Sequence, residues 1–73
     1  MGWTWQLLAG DPPTSVPEPE EVRQPVGGFP SQADAETWVG EVWRDLLAQG
    51  VDAVSLYEEG RMVYGPMSLH PAG

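Results

Sequence analysis

Apolar residues recur every three or four positions between Ser31 and Gly50. This spacing predicts one amphipathic helix with a single buried face, running from Gln32 to Gln49. Ser31, followed by Asp34, fits an N-terminal capping box, and Gly50 suits the left-handed position that ends a helix. The apolar face of the predicted helix consists of Ala35, Trp38, Val39, Val42, Trp43, Leu46 and Leu47.

Three short segments show the pattern of strands rather than of helices. Residues 3–8, W-T-W-Q-L-L, alternate with a period of two, which is typical of a half-buried strand. Residues 53–57 and 62–65 are rich in β-branched and aromatic side chains and flank Glu59-Gly60. Because glycine accepts a positive φ, this pair predicts a tight hairpin turn between the second and third strands.

The hairpin turn also predicts which side chains share a face of the sheet. A two-residue turn places Leu56 opposite Val63 and Tyr57 opposite Met62. One helix covers only one face of a sheet, so the second face stays open. We expect this open face to be the interaction surface, and its predicted members are Tyr57, Met62, Tyr64 and Leu8.

These elements predict an α+β fold with the order β-α-β-β. One amphipathic helix packs on one face of a three-stranded, mostly antiparallel sheet. A right-handed crossover through the helix leaves room for the third strand in the middle, which gives the strand order 1-3-2. The alternative order is 1-2-3. The chain forms a single small domain, residues 1–73, with its core in residues 3–9 and 29–69.

The segment between the first strand and the helix has a different composition. Residues 10–28 are rich in Pro and Glu and contain Gly27-Gly28, so we expect a flexible loop that buries little surface. The alternative is an extended arm packed over the helix, because long structureless loops are uncommon in compact domains. At the other end, we expect residues 70–73 to fray, with His70 exposed to solvent.

Charge restricts the classes of partner. The chain of 73 residues has three basic and eleven acidic side chains, a net charge of −8, and no cysteine. Such a charge disfavours direct binding to nucleic acid or to anionic membranes and favours a basic partner. The first residues lack the basic segment of a signal peptide, and no apolar run is long enough to cross a bilayer. We therefore expect a cytoplasmic location.

No combination of residues indicates a reaction. His70 has no neighbouring partner for catalysis or metal binding, and Ser31 is explained by its capping role. The acidic groups 18–21 and 58–59 lack the ligand spacing of calcium loops. The sequence therefore predicts no enzymatic activity, no cofactor and no metal site.

Residues 29–71 contain two longer runs that carry a resemblance. F-P-S-Q-A-D-A-E-T-W leads into the helix, and V-Y-G-P-M-S-L-H-P lies close to the end of the chain. These runs resemble small acidic hypothetical proteins of actinobacteria. The resemblance implies a bacterial, non-secreted module and supplies no activity, ligand or site residue.

Taken together, the residues favour a protein–protein interaction or self-association module, including a possible homodimer. It would use the open face or an edge of its sheet. The first alternative is an acidic inhibitor that binds a basic protein, such as a nucleic-acid-binding protein, by mimicry. A small enzyme is the second alternative.

Overall fold

A computed structural model describes residues 2–70 and places one helix against a four-stranded antiparallel sheet. The predicted α+β class with a single helix and an antiparallel sheet is confirmed. The predicted three-stranded sheet with order 1-3-2 is wrong, because the order is β2-β1-β3-β4. The elements are β1 (Trp3–Ala9), β2 (Thr14–Ser15), α1 (Gln32–Ala48), β3 (Ala53–Glu58) and β4 (Arg61–Ser68).

The predicted crossover fails because the chain returns along β1 before the helix begins. Phe29 bridges to Trp3, so α1 starts beside the first residues of β1. After α1, the backbone N–H of Asp52 donates to the carbonyl of Leu8 at 2.8 Å. β3 therefore begins where β1 ends and runs antiparallel beside it. The three strands expected from the sequence correspond to β1, β3 and β4. They lie side by side in that order, which is the predicted alternative, 1-2-3.

Both ends of α1 follow the capping signals in the sequence. Ser31 has extended backbone angles, and its Oγ accepts the backbone N–H three residues later at 3.2 Å. At the other end, Gly50 has a φ of +95° and donates to the carbonyl of Leu47 at 3.0 Å. Val51 donates to the carbonyl of Leu46 at 2.9 Å, which completes a Schellman motif. These caps confirm the predicted helix to within one residue.

The core lies between α1 and one face of the sheet. Of the four tryptophans, all within the described residues, only Trp5 is fully buried, with 3% of its surface exposed. Its indole Nε1 donates to the carbonyl of Ala35 at 2.8 Å, which satisfies the buried polar atom. The other three pack against the core while partly exposed. The buried cluster contains Trp5, Leu7, Val22, Phe29, Ala35, Val39, Leu46, Val51, Val54, Leu56 and Leu69.

The β3–β4 hairpin has the predicted turn but not the predicted register throughout. Glu59 and Gly60 have φ values of +50° and +83°, as a two-residue hairpin turn requires. Tyr57 pairs with Met62 as expected. The register then shifts, so that Leu56 pairs with Tyr64, and the predicted pairing of Leu56 with Val63 is wrong. Since side chains alternate along a strand, this shift changes which residues reach each face.

The Pro/Glu-rich segment contributes to the structure at several places. It contains β2, which pairs with the end of β1, and Val22, which is buried in the core with 6% exposure. The flexibility of residues 10–28 as a whole stays a prediction. At the C-terminal end, residues 71–73 of the tail that we expect to fray lie outside the described residues. Between residues 2 and 70, no helix is long and apolar enough to cross a bilayer.

Candidate interaction surface

Tyr57 and Met62 are neighbours on the sheet face that α1 does not cover. They are cross-strand partners. Tyr57 follows Leu56 along β3, and because Leu56 belongs to the core between sheet and helix, Tyr57 and its partner Met62 point away from the helix. Leu8 lies on the same face as Tyr57, because it alternates with the core residue Leu7. However, only 8% of Leu8 is exposed. Of the predicted surface residues, the structure thus brings Tyr57 and Met62 together and leaves Leu8 with little accessible area.

Tyr64 lies on the opposite, helix-covered face. Its ring packs edge-on against the ring of Trp5, with ring centroids 5.9 Å apart and an angle of 84° between the ring planes. Its hydroxyl donates to Oε2 of Glu36 on α1 at 3.4 Å. Burial raises the pKa of the Tyr64 hydroxyl above its ordinary value, and the Glu36 carboxylate raises this pKa further. Tyr64 therefore belongs with the core residues and not with Tyr57 and Met62.

The register shift beside Val63 explains why Tyr64 was assigned to the wrong face. An extra residue in one strand turns the following side chains to the opposite face, and no alternation pattern reveals its position. The sequence contains one signal that could have indicated it. Gly65 and Pro66 both interrupt regular ladders, and their presence inside a strand marks bulges.

One edge of the sheet, the outer side of β1, is covered by the segment that precedes the helix. Trp3 exchanges two backbone hydrogen bonds with Phe29, of 2.9 and 2.7 Å. At Trp5, the side-chain amide of Gln24 replaces a strand: its oxygen accepts the Trp5 N–H at 2.6 Å, and its nitrogen donates to the Trp5 carbonyl at 2.9 Å. β2 covers the end of β1. This edge therefore has few free backbone groups for another strand.

The other edge, the outer side of β4, carries most of the exposed large apolar side chains. Met62, Val63 and Met67 are exposed by 51%, 43% and 39%, and we call these three residues the β4 surface. Met62 shares the open face with Tyr57, whereas Met67 pairs with the core residue Val54 and lies on the helix side of the strand. Within residues 2–70, no strand pairs with this side of β4. Pro66 has no N–H to donate, and the register shifts bend the strand. The β4 surface is therefore suited to side-chain contacts rather than to the addition of a long regular strand.

An apolar groove runs between α1 and the end of β4. Its volume is about 370 Å³. Gly40 on α1 leaves it open, because a Cβ built there has no other atom within 4 Å. A glycine inside a helix is about 0.5–1 kcal/mol less favourable than alanine, so this position lowers the stability of α1. The residues that line the groove are Val39, Gly40, Trp43, Met67, Ser68 and Leu69.

A larger cleft of about 620 Å³ lies between the tip of the β3–β4 hairpin and residues 23–28. Glu18, Arg23 and Glu59 line it together with several glycines. The N–H of Gln24 already donates to Oε2 of Glu18 at 2.8 Å. Because charges of both signs line it, this cleft does not favour one class of ligand.

Asp52 connects three parts of the chain. One carboxylate oxygen accepts the N–H of Gly10 at 2.8 Å, and the other lies 2.8 Å from Nε2 of His70. The hydrogen bond from Gly10 lowers the pKa of the Asp52 carboxyl most, and His70 adds to this effect. His70 is exposed, as predicted. Ser68 Oγ accepts the backbone N–H of His70 and is not bonded to its ring, so these residues do not form a catalytic triad.

Replacing Asp52 by Asn should remove part of the acid sensitivity of the fold. Because the pKa of Asp52 is lower in the folded state, its stabilising effect is complete above its unfolded pKa of about 3.9. The effect is lost as the pH falls through the folded pKa. Urea unfolding at about pH 7 and about pH 3 measures this: the wild type should lose more stability than Asp52→Asn. An equal loss in both proteins would contradict the assigned role of Asp52.

Comparisons with protein-family models, with curated proteins and with solved structures gave no match. In the part of the chain that the structure describes, no group of three or more His, Cys, Asp or Glu side chains could hold a metal ion. The candidate site therefore rests on the β4 surface and the groove beside it.

Proposed function

We propose that this chain is a cytoplasmic, non-enzymatic module that binds a protein partner through the β4 surface. The observation that supports this most is the concentration of exposed Met62, Val63 and Met67 on one edge strand. Met62 and Val63 are consecutive in the chain, large contiguous apolar patches are uncommon on monomeric proteins, and methionine is enriched at interfaces. Tyr57 adjoins this surface as the cross-strand neighbour of Met62. Leu8 and Tyr64 are not included, because little of Leu8 is accessible and Tyr64 packs on Trp5.

The charge of the chain favours a basic partner over a second copy. Two copies would bring together net charges of −8 each, and like charges oppose association. Glu58 and Glu59 lie at the hairpin tip, and with the exposed Arg61 that precedes Met62 they leave a local excess of one negative charge. A partner with an apolar patch bordered by Lys and Arg complements both features.

A double variant tests this proposal. Met62→Ser with Val63→Thr removes apolar area from exposed positions and should leave the core folded. We expect partner capture by the immobilised protein from lysate of the source organism to fall at least about tenfold, as for residues near the centre of an interface. The control is Val26→Thr, which changes a fully exposed valine in the loop before Gly27 and should capture as the wild type does. Equal capture by all three proteins would contradict the proposal.

Salt dependence and sedimentation separate the alternatives to this proposal. A complex held mainly by the β4 surface should survive an increase to about 0.5 M salt, whereas an acidic mimic of nucleic acid should lose affinity steeply. A homodimer that the double variant abolishes would support self-association through the same surface. It would contradict the preference for a basic partner.

A further inference from the structure

The groove between α1 and β4 has a glycine in its wall, at a helix position where a side chain would meet no steric obstacle. Gly40 lies in the middle of α1, and a side chain at this position would extend into free space. Most residues would favour the helix more than glycine does, and a large side chain at this position would take up part of the open space. The open groove is thus a feature that packing and helix stability do not require.

The size and lining of the groove suit one large apolar side chain. Val39, Trp43, Met67 and Leu69 provide apolar walls around a space of about 370 Å³. This volume is near the lower end of the range of about 300–1,000 Å³ that small-molecule pockets have. Met67 is a flexible wall that can adapt to aromatic or branched occupants.

The charges around the groove favour an apolar ligand that also carries positive charge. Glu36 lies one turn before Gly40 on α1, and Glu41 follows it directly; both are exposed. The guanidinium of Arg44 is held over the Trp43 ring, 5.1 Å from its centroid. With a net charge of −8, the chain repels fatty acids and other copies of itself and attracts cationic segments.

We infer that this groove holds one large apolar side chain of a basic partner segment, in which Lys or Arg residues flank that side chain. The inference rests on the proposed function and names the anchor that the partner supplies. Met67 lines the groove and lies on the same strand as Met62 and Val63, so a partner that wraps around the edge of β4 contacts both. The anchor provides the buried contact, and the flanking cations provide the attraction to the acidic surface.

Short peptides test the inference on the full chain. The probe is acetyl-Lys-Lys-Phe-Lys-Lys-amide, followed by two-dimensional NMR of the labelled protein and by the fluorescence of its tryptophans. We expect saturable shifts at Val39, Gly40 and Leu69. Replacing Phe by Ala, or the four Lys by Glu, should weaken binding at least about tenfold. If the Ala peptide binds as well as the Phe peptide, binding depends on charge alone and the inference is wrong.

Substitutions at Gly40 in the groove provide a second test of the inference. Gly40→Leu should weaken binding of the Phe peptide at least about tenfold while the melting temperature stays equal or rises, since leucine favours a helix more than glycine does. Gly40→Ala, which fills less of the space, should weaken it about threefold and remains informative if the leucine variant fails to fold. Unchanged binding by the folded variants would overturn the inference.

The two proposals fail differently. Met62→Ser with Val63→Thr should leave peptide binding in the groove intact. If the peptide instead shifts only Met62 and Val63, the groove inference is wrong and the proposed function stands. If the peptide occupies the groove but the double variant still captures the partner, the proposed β4 surface is wrong and the groove inference stands.

Discussion

Replacing Trp5 by Ala should unfold this domain at room temperature. The Trp5 side chain is 3% exposed, contacts Tyr64 edge-on and donates to the Ala35 carbonyl. Truncating a buried tryptophan costs about 3–5 kcal/mol, and the core of a domain this small rarely supplies more than about 3–5 kcal/mol. Circular dichroism and urea unfolding measure the loss. We expect no cooperative transition for Trp5→Ala.

The matched control is Trp43→Ala on α1. Trp43 is partly exposed and lines the open groove, so its removal costs less packing. This variant should remain folded with reduced stability. If Trp5→Ala melts within a few degrees of the wild type, or if Trp43→Ala is the more damaging of the two, the packing of α1 on β1 described above is wrong.

Gly65→Ala should destabilise the β3–β4 hairpin strongly. Gly65 has a φ of +122°, a conformation that residues with a side chain rarely adopt. A Cβ at this position would also lie 2.8 Å from Cα and 2.9 Å from Oγ of Ser55, in the middle of β3. Strain and overpacking each cost about 1–3 kcal/mol, so we expect a total loss of about 2–6 kcal/mol in the free energy of unfolding.

Gly60→Ala separates these two causes. Gly60 also has a positive φ, +83°, but no atom lies within 4 Å of a Cβ built on it. Backbone strain alone should cost about 1–2 kcal/mol. Urea unfolding of both variants gives the comparison. Equal losses would show that the close approach of Gly65 to Ser55 does not matter for stability.

The helix and the hairpin turn could be predicted from the sequence because their signals are local. The spacing of apolar residues, the cap at Ser31 and the glycine at position 50 all act within a few residues of each other. The turn at Glu59-Gly60 depends on backbone preferences of these two residues. Such signals do not require knowledge of the rest of the fold.

The strand order and the cover of β1 depend on contacts between distant residues. Residues 10–28 have the composition of a solvated loop, yet Gln24 provides both hydrogen bonds that a neighbouring strand would give to Trp5. No periodic pattern predicts that one side-chain amide takes this role. The return of Phe29 to Trp3 likewise fixes where α1 begins and excludes the predicted crossover.

The sequence predicts the candidate surface correctly only where it also predicts the β3–β4 register correctly. Tyr57 and Met62 are adjacent to the turn, so their pairing follows from it directly. Tyr64 lies beyond the register shift, and its face depends on how Val63 and Gly65 are accommodated. The groove beside Gly40 involves two elements whose relative position the sequence pattern does not specify.

The central position of β1 has a consequence for folding during synthesis. β1 leaves the ribosome before the other strands described here, but Trp3 pairs with Glu58, more than fifty residues later. The β3–β4 hairpin closes over a turn of two residues and needs no distant partner. The side of β1 that faces β3 must therefore stay unpaired until most of the domain has been made, although β2 and Phe29 can pair with its other side earlier.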